Sequence, residues 1–575
     1  MANPRLYLFI ALCFVALLLF QAWEKDYGPK SPPVTTSAPT QPAQKTKAAS
    51  APAKAPASPS AAQSAVPSAV PAAGGPEKTQ QPAAGPAEPL VKSKQAIHVR
   101  TDVLDVRLDT QGGDVRQVDL RKYTVSIKDK KPFELMTDRG PGFYVAQSGF
   151  TGPHGAIADA PNHKSLYTAD KTDYTLAPGQ DTLQVHLHWS SPTGIEVTKT
   201  YTFKRGSYVV GLDYQVKNNS GKPWQASFYR QLQRTEHTGK GTSSRFIHTY
   251  LGTAYYTPSD HYKKESFSDM KDKALNVTDV KGGWVAMLQH YFLGAWIPDS
   301  KSTDTFYADY LPKQFHTYRI GAMSPLQTVA PGSTRNFKSR LFVGPKLQDR
   351  LASITPGLEL TVDYGILTVI SKPLFWLLEK LHKFFGNWGW SIIVLTILIK
   401  LAFYKLSETS YRSMAKMRRV QPRMKALKER YGDDRQKMNQ ALMELYKTEK
   451  INPLGGCLPI VIQIPVFIAL YWVLLYSVEM RQAPFILWIH DLSAPDPYFV
   501  LPLLMGVTML IQQRLNPAPM DPLQQKIMML LPLVFTVFFA FFPAGLVVYW
   551  VVNNTLSIAQ QYVITKRVNQ AAAKT

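Results

Sequence analysis

Trp388-Gly-Trp-Ser-Ile-Ile-Val-Leu-Thr-Ile-Leu-Ile-Lys400-Leu-Ala-Phe403 reads as an apolar helix that carries one charge. At ~1.5 Å rise per residue, Lys400 lies about 18 Å from Trp388, just past the middle of a ~30 Å hydrocarbon layer. A lysine there costs about 2.5–3.5 kcal/mol on insertion scales. Such a residue either faces protein or a water-filled cavity, or snorkels its ammonium to the headgroups. Position alone leaves both readings open.

Four more apolar stretches follow, 455–478, 497–513, 527–542 and 543–564. The last two total 38 residues without a polar loop between them. That is roughly 57 Å of helix, too long for one span and about right for two. Phe542-Pro543-Ala544-Gly545 supplies the break, because proline is tolerated in a first helical turn. The loop 405–450 holds 13 Lys/Arg against 6 Asp/Glu, while 481–496 holds one Arg and two Asp. The positive-inside rule places the first loop in the cytoplasm and the second outside.

Upstream, 361–386 mixes Ile366, Leu374, Leu377 and Leu381 with Lys372, Glu379, Lys380 and Lys383 at helical spacing. That charge load predicts an amphipathic helix lying in the interface. Residues 95–345 alternate with period two, as in Leu183, Val185, Leu187, Trp189, then Val197, Lys199, Tyr201, Phe203, then Val210, Leu212, Tyr214, Val216. Gly112-Gly113 marks a hairpin. These runs predict one large antiparallel β-sandwich. Its histidines and aspartates have no metal-site spacing, and it has no nucleophile elbow.

Residues 28–94 are rich in Pro, Ala, Ser and Lys and hold no aromatic residue. They read as a disordered tether, expected to decouple the external domain from the helical core mechanically. Residues 1–27 read as an uncleaved anchor: Phe20-Gln21-Ala22 lacks the small-x-small cleavage pattern. The sum is a multi-pass α-helical membrane protein with six transmembrane helices. Five form the core 387–565, both termini are cytoplasmic, and 566–575 is a basic tail.

The chain has 575 residues and a formal charge of +24. Charge alone is compatible with nucleic acid, anionic lipid or membrane topology. Two cysteines, Cys13 and Cys457, build neither a disulfide framework nor a metal site.

Polar residues recur inside the apolar stretches. Thr396 precedes Lys400 by one turn, Gln463 lies between isoleucines, and Asn553, Asn554 and Thr555 follow Tyr549-Trp550. They either bond helices together or line a hydrated cavity. The loop 407–450 reads as a helical hairpin, with Gly432 ending one arm, Asp433 capping the next and Pro422 kinking the first. Met414, Met417 and Met424 lie at helical spacing, with Arg418 and Arg419 on the basic exterior. Methionine faces suit adaptable partners, yet at this spacing they also serve as ordinary packing. The hairpin is expected to hang free, tethered only at Lys405 and Asn452.

Asn452-Pro-Leu-Gly-Gly-Cys-Leu-Pro459, Gln463-Ile-Pro465, Arg481-Gln-Ala-Pro-Phe485, Trp488-Ile-His-Asp-Leu492, Asp521-Pro-Leu-Gln-Gln-Lys-Ile-Met528 and Phe542-Pro-Ala-Gly-Leu546 resemble the YidC/Oxa/Alb membrane protein insertases. The resemblance is nearly continuous over 361–565 and reaches Gly282–Tyr291. Anchor, tether and external domain look like the Gram-negative form. The resemblance implies a hydrophilic groove open to cytoplasm and lipid, in the bacterial inner membrane, with the β domain periplasmic. It implies a substrate groove of Lys400, Thr396, Gln463, Tyr549, Trp550 and Asn553, and a receiving hairpin of Met414, Met417, Arg418, Arg419, Met424 and Asp433. Lys400 stands where the family usually has arginine, which keeps the charge and loses the bidentate fork. Implied partners are nascent membrane proteins, membrane lipids, the Sec translocon, and ribosome or signal recognition components. No cofactor, catalytic residue, metal or specific nucleic acid is implied. The alternative is a secondary transporter or channel that holds an anion at Lys400. Inverted repeats would favour it, and none is seen.

Overall fold

The computed structural model describes residues 93–153, 159–237, 250–432, 434–449, 451, 458–517 and 522–573. The anchor 1–27, nearly all of the tether 28–94, Asp433, Asn452–Cys457 and Asp521 lie outside the described residues.

Two packed sheets of eleven and nine strands make the first half of the described chain. The alternation explains them. Ile195–Lys204 and Val209–Asn218 bury every second residue and pair antiparallel. Leu104–Asp109 and Asp114–Thr124 turn back through Gly112 and Gly113, whose φ values of +81° and +58° suit residues without a Cβ. Pairing is antiparallel throughout except where Ala96–Arg100 runs parallel to Asp173–Thr175. Trp284 and Trp296 fill the interior, and the Trp296 indole donates to the Gln231 carbonyl of the opposite sheet at 3.0 Å. Lys199 follows its strand's inward face. Its Nζ is buried, donates to the Gly112 carbonyl at 3.1 Å and lies over the rings of Tyr201 and Tyr214. Burial lowers its pKa to about 7 and raises that of neighbouring Asp114 to about 6.

Two short helices, α1 (Phe267–Asp272) and α2 (Gln348–Ile354), accompany the sheets. The helical half comprises α3 (Thr368–Phe385), α4 (Trp388–Ala402), α5 (Tyr404–Arg430), α6 (Arg435–Thr448), α7 (Leu458–Tyr476), α8 (Val500–Leu515), α9 (Pro522–Phe539) and α10 (Ala544–Ala573). Helix α3 is shorter than the expected 361–386, because two 3-10 turns, Leu358–Thr361 and Gly365–Leu367, precede it. It buries Ser371, Phe375 and Leu378, and exposes Val369, Trp376 and Phe384 beside Lys372, Lys380 and Lys383.

The apolar stretch that begins at Trp388 does not run on as one straight helix. It leaves helical geometry at Phe403, whose amide turns to the carbonyls of Ile399 and Leu401, and α5 departs at 68°. Among the described residues no single helix is long and apolar enough to cross a membrane. The bent pair α4–α5 meets that test together, and α7, α8 and α9 hold shorter apolar stretches.

The two halves are joined, which corrects the expectation of mechanical decoupling. Arg481, in the loop after α7, donates to the carbonyls of Thr124 and Val125 at 2.6 and 3.1 Å and lies over Phe133 and Phe292. Gln482 bonds Thr124 twice. His290 gives its Nε2–H to the Leu475 carbonyl at 2.9 Å, with Tyr291 stacked on the ring and Tyr476 at its edge. The sheets also run directly into the helical half through 346–367, a connection independent of residues 28–94.

Burial pushes His290 from its ordinary 6.5 to about 3, with Lys346 and Arg481 adding repulsion. A histidine with a depressed folded pKa contributes stability above its unfolded pKa, and that stability drains as pH falls through 6.5 towards 3. Docking is therefore expected to lose the His290 contribution between pH 7 and 5, while the Glu479 carboxyl, raised by burial to about 7, gives an opposing gain over the same range. Hydrogen exchange of 284–293 and 474–482 in the parent and in His290→Asn checks it: the difference between the two profiles should shrink as pH falls from 7 to 5.

Candidate functional site

The polar residues inside the helical half converge on α10. Starting from Ala544, that helix first offers Tyr549 and Trp550, which enclose Phe467 of α7 at ring distances of 5.9 and 4.6 Å. The Trp550 indole nitrogen is buried with no hydrogen-bond partner among the described residues, and the buried Tyr549 hydroxyl faces Gln463. One turn on, Asn553 accepts from Gln463 Nε2 of α7 at 2.6 Å. The next turn brings Ser557, whose hydroxyl donates to the Asn553 carbonyl at 2.8 Å and accepts from Lys400 Nζ at 2.7 Å. Farther along, Gln561 Nε2 donates to Asn516 Oδ1 and the Leu515 carbonyl at the end of α8. A seam of neutral polar groups thus runs along one face of α10, with a single ammonium held against it.

Lys400 is half-buried, and among the described residues its hydrogen-bond partner is that one neutral hydroxyl. A hydroxyl orients the ammonium without cancelling its charge, whereas a carboxylate would. Among the described residues no carboxylate pairs with this ammonium.

The structure brings Lys400, Gln463, Asn553, Tyr549 and Trp550 to one seam and leaves Thr396 out of the polar contacts. Thr396 is buried and its hydroxyl donates to its own helix, at the Ile392 carbonyl, 2.7 Å away. In the hairpin, Met424 is buried with Val420, Leu442 and Ile451, and Met417 packs against that cluster. These two methionines are packing. Met414 is half-buried, and Arg418 and Arg419 are exposed. The cap of α6 is Asp434, whose carboxylate accepts from the amides of Gln436 and Lys437. Helix α5 continues through Pro422, and its start is not free: Tyr411 lies against Ser557 and Gln512, and Arg418 reaches the Leu515 carbonyl at 3.4 Å. Burial raises the Tyr411 pKa.

Reading the sequence missed Ser557, Tyr411, Gln512 and the Asn554–Thr508 bond of 3.3 Å. A signal for the first was present. Asn553, Ser557 and Gln561 recur every four residues, which puts them on one helical face.

Residues 96–377 match the family model described as the YidC periplasmic domain, and 380–571 match the one described as 60Kd inner membrane protein. The chain is 52% identical to the membrane protein insertase YidC of Thioalkalivibrio sulfidiphilus, over 100% of both chains. It is 50% identical to that of Methylococcus capsulatus, again over 100% of both. Among solved structures, the crystal structure of an active YidC insertase with its first transmembrane domain resolved covers 83% of this chain and 95% of its own, at 17% identity and a TM-score of 0.37. The relatives are insertases and not enzymes, and the β-sandwich corresponds to their periplasmic domain. With two family models spanning nearly all the described residues and half of all positions identical to full-length curated relatives, the chain belongs to the YidC family.

Proposed function

We propose that this protein is a membrane protein insertase of the bacterial inner membrane, with Lys400 as the charge that draws a substrate's polar flank into the bilayer. The observation that carries this reading is the Lys400 ammonium, bound to the Ser557 hydroxyl beside the Gln463–Asn553 pair. A nascent segment with a short acidic flank enters along the polar seam. The flank meets Lys400, and the apolar part passes into lipid along α7 and α9. Gathered polar groups lower the cost of bringing a charged flank partway into hydrocarbon. No bond is made or broken.

In this reading the anchor 1–27, the α4–α5 start, α7, α8, α9 and α10 give six spans. Both termini are cytoplasmic and 95–345 is outside. Helix α3 (within 361–386) lies at the outer interface, and the α5–α6 hairpin (within 407–450) faces the cytoplasm. The exposed apolar side chains of α8 and α9, such as Leu503, Val507, Leu533 and Val537, support lipid contact there. Exposed Arg418 and Arg419 suit delivery by ribosomes or signal recognition components. The Sec translocon is a second partner by family likeness, and no specific nucleic acid is needed.

Purified full-length protein in phosphatidylethanolamine/phosphatidylglycerol vesicles is expected to insert a one- or two-span substrate, with the acidic flank protected from added protease. Protection no greater than in protein-free vesicles would overturn the reading.

A further inference from the structure

The loop between α7 and α8 ends in an unusual surface. Pro484-Phe-Ile-Leu-Trp-Ile-His490 contains no Lys, Arg, Asp or Glu. Leu487 is 74% exposed and Tyr498 67%, with Ile486 and Phe499 exposed beside them. These are large apolar side chains where a solvated loop would carry polar ones.

The display is built. The buried Asp496 carboxylate accepts from the Trp488 indole at 2.9 Å, the Tyr498 amide at 3.0 Å and the Leu501 amide at 2.7 Å. Asp491 accepts from the amides of Gln482 and Ser493. The turn closes between the Phe485 amide and the Ile489 carbonyl at 2.9 Å. Both acids are thus engaged by the loop's own donors while the apolar tip stays out. Leu487 and Phe499 adopt φ values of +53° and +58°. Glycine or asparagine would hold that conformation at less cost than leucine or phenylalanine.

The surface is continuous with the corner between α3 and α4. Asn387 Nδ2 donates to the carbonyls of Pro484 and Phe485 at 3.3 and 3.1 Å, and the rings of Trp390 and Phe485 meet edge to face at 5.7 Å. Phe384, Phe385 and Trp390 are exposed at that corner. Tryptophan, tyrosine and phenylalanine around an uncharged tip make the composition of a membrane-water belt.

We propose that the 484–499 loop is a preformed wedge that sits in the headgroup and upper acyl layer of the outer leaflet, with Leu487 and Tyr498 as its lipid contacts. This rests on the membrane reading above.

Single nitroxide labels test it, placed at Leu487→Cys or Tyr498→Cys in the full chain carrying Cys13→Ser and Cys457→Ser. The protein is reconstituted in phosphatidylethanolamine/phosphatidylglycerol vesicles. Collision rates are read with oxygen, which concentrates in lipid, and with a water-soluble nickel chelate. Val507→Cys on α8 serves as the bilayer reference, and Lys128→Cys on the β domain as the aqueous one. The expected result is more oxygen than nickel access at 487 and 498, at a depth between the two references. Nickel access equal to that at 128, with 507 still in lipid, would overturn the wedge and leave the membrane reading intact. Exclusion of both reagents from 487 and 498 would mean a protein covers the tip, and would also overturn it. Nickel access at 507 as well would defeat the membrane reading, and the wedge with it.

Discussion

Lys400→Glu is expected to abolish insertion of substrates with acidic flanks, and Lys400→Ala to slow it roughly tenfold or more. At an effective dielectric of about 20, two unit charges 4 Å apart attract by about 4 kcal/mol. Each 1.36 kcal/mol removed from a barrier is about tenfold in rate. Losing even a third of that attraction accounts for the alanine effect. Lys400→Arg should keep most activity, because the Ser557 hydroxyl can accept from a guanidinium and a moving chain needs a field more than a bidentate geometry. The decisive measurement is protease protection of a substrate pair differing only in flank charge, with the variants at equal membrane level. If Lys400→Ala inserts the acidic-flank substrate as fast as the parent, charge is not what Lys400 supplies.

Deletion of 420–450, bridged by a flexible linker, is expected to abolish insertion and leave the helical half folded. The cut point follows from contacts. Val420, Met424, Leu442 and Ile451 form a small apolar cluster of their own, so the arms beyond Arg418 hold each other. Residues 404–418 are different: Tyr411 meets Ser557 and Gln512, and Arg418 reaches the end of α8. A longer deletion starting at 410 would remove Tyr411 from the polar seam and confound two effects. Limited proteolysis in vesicles should yield the same resistant core fragments from the short deletion as from the parent. An unfolded core would show that the hairpin is part of the scaffold.

The β-sandwich was legible because a strand's period of two is a local property. Leu183 to Leu187 and Val210 to Val216 announce their faces within a few residues, and the inward position of Lys199 follows from the same count. The apolar stretches and Lys400 were legible for the same reason. The pairing of Lys400 with Ser557 was not, since the four-residue recurrence gives the serine's face on its own helix and says nothing of a lysine 157 residues away. The break at Phe403 was hidden because Leu-Ala-Phe-Tyr carries no glycine or proline to mark it. Docking of the external domain escaped for a different reason. Arg481 and His290 look like ordinary loop residues until the fold brings the carbonyls of Thr124 and Leu475 to them.

The start of α10 has a consequence for traffic through the bundle. A helix ordinarily opens with four amides in search of acceptors, and they make its first turn a positive pole. Here Pro543 has no amide to offer, Ala544 gives its own to the Ala494 carbonyl at 2.8 Å, and Gly545 gives its own to Leu492 at 2.9 Å. The loop is stitched across that end of the bundle. The first backbone donors of α10 are therefore already spent on that loop, and the positive pole beside Tyr549 offers none of them to an incoming anion.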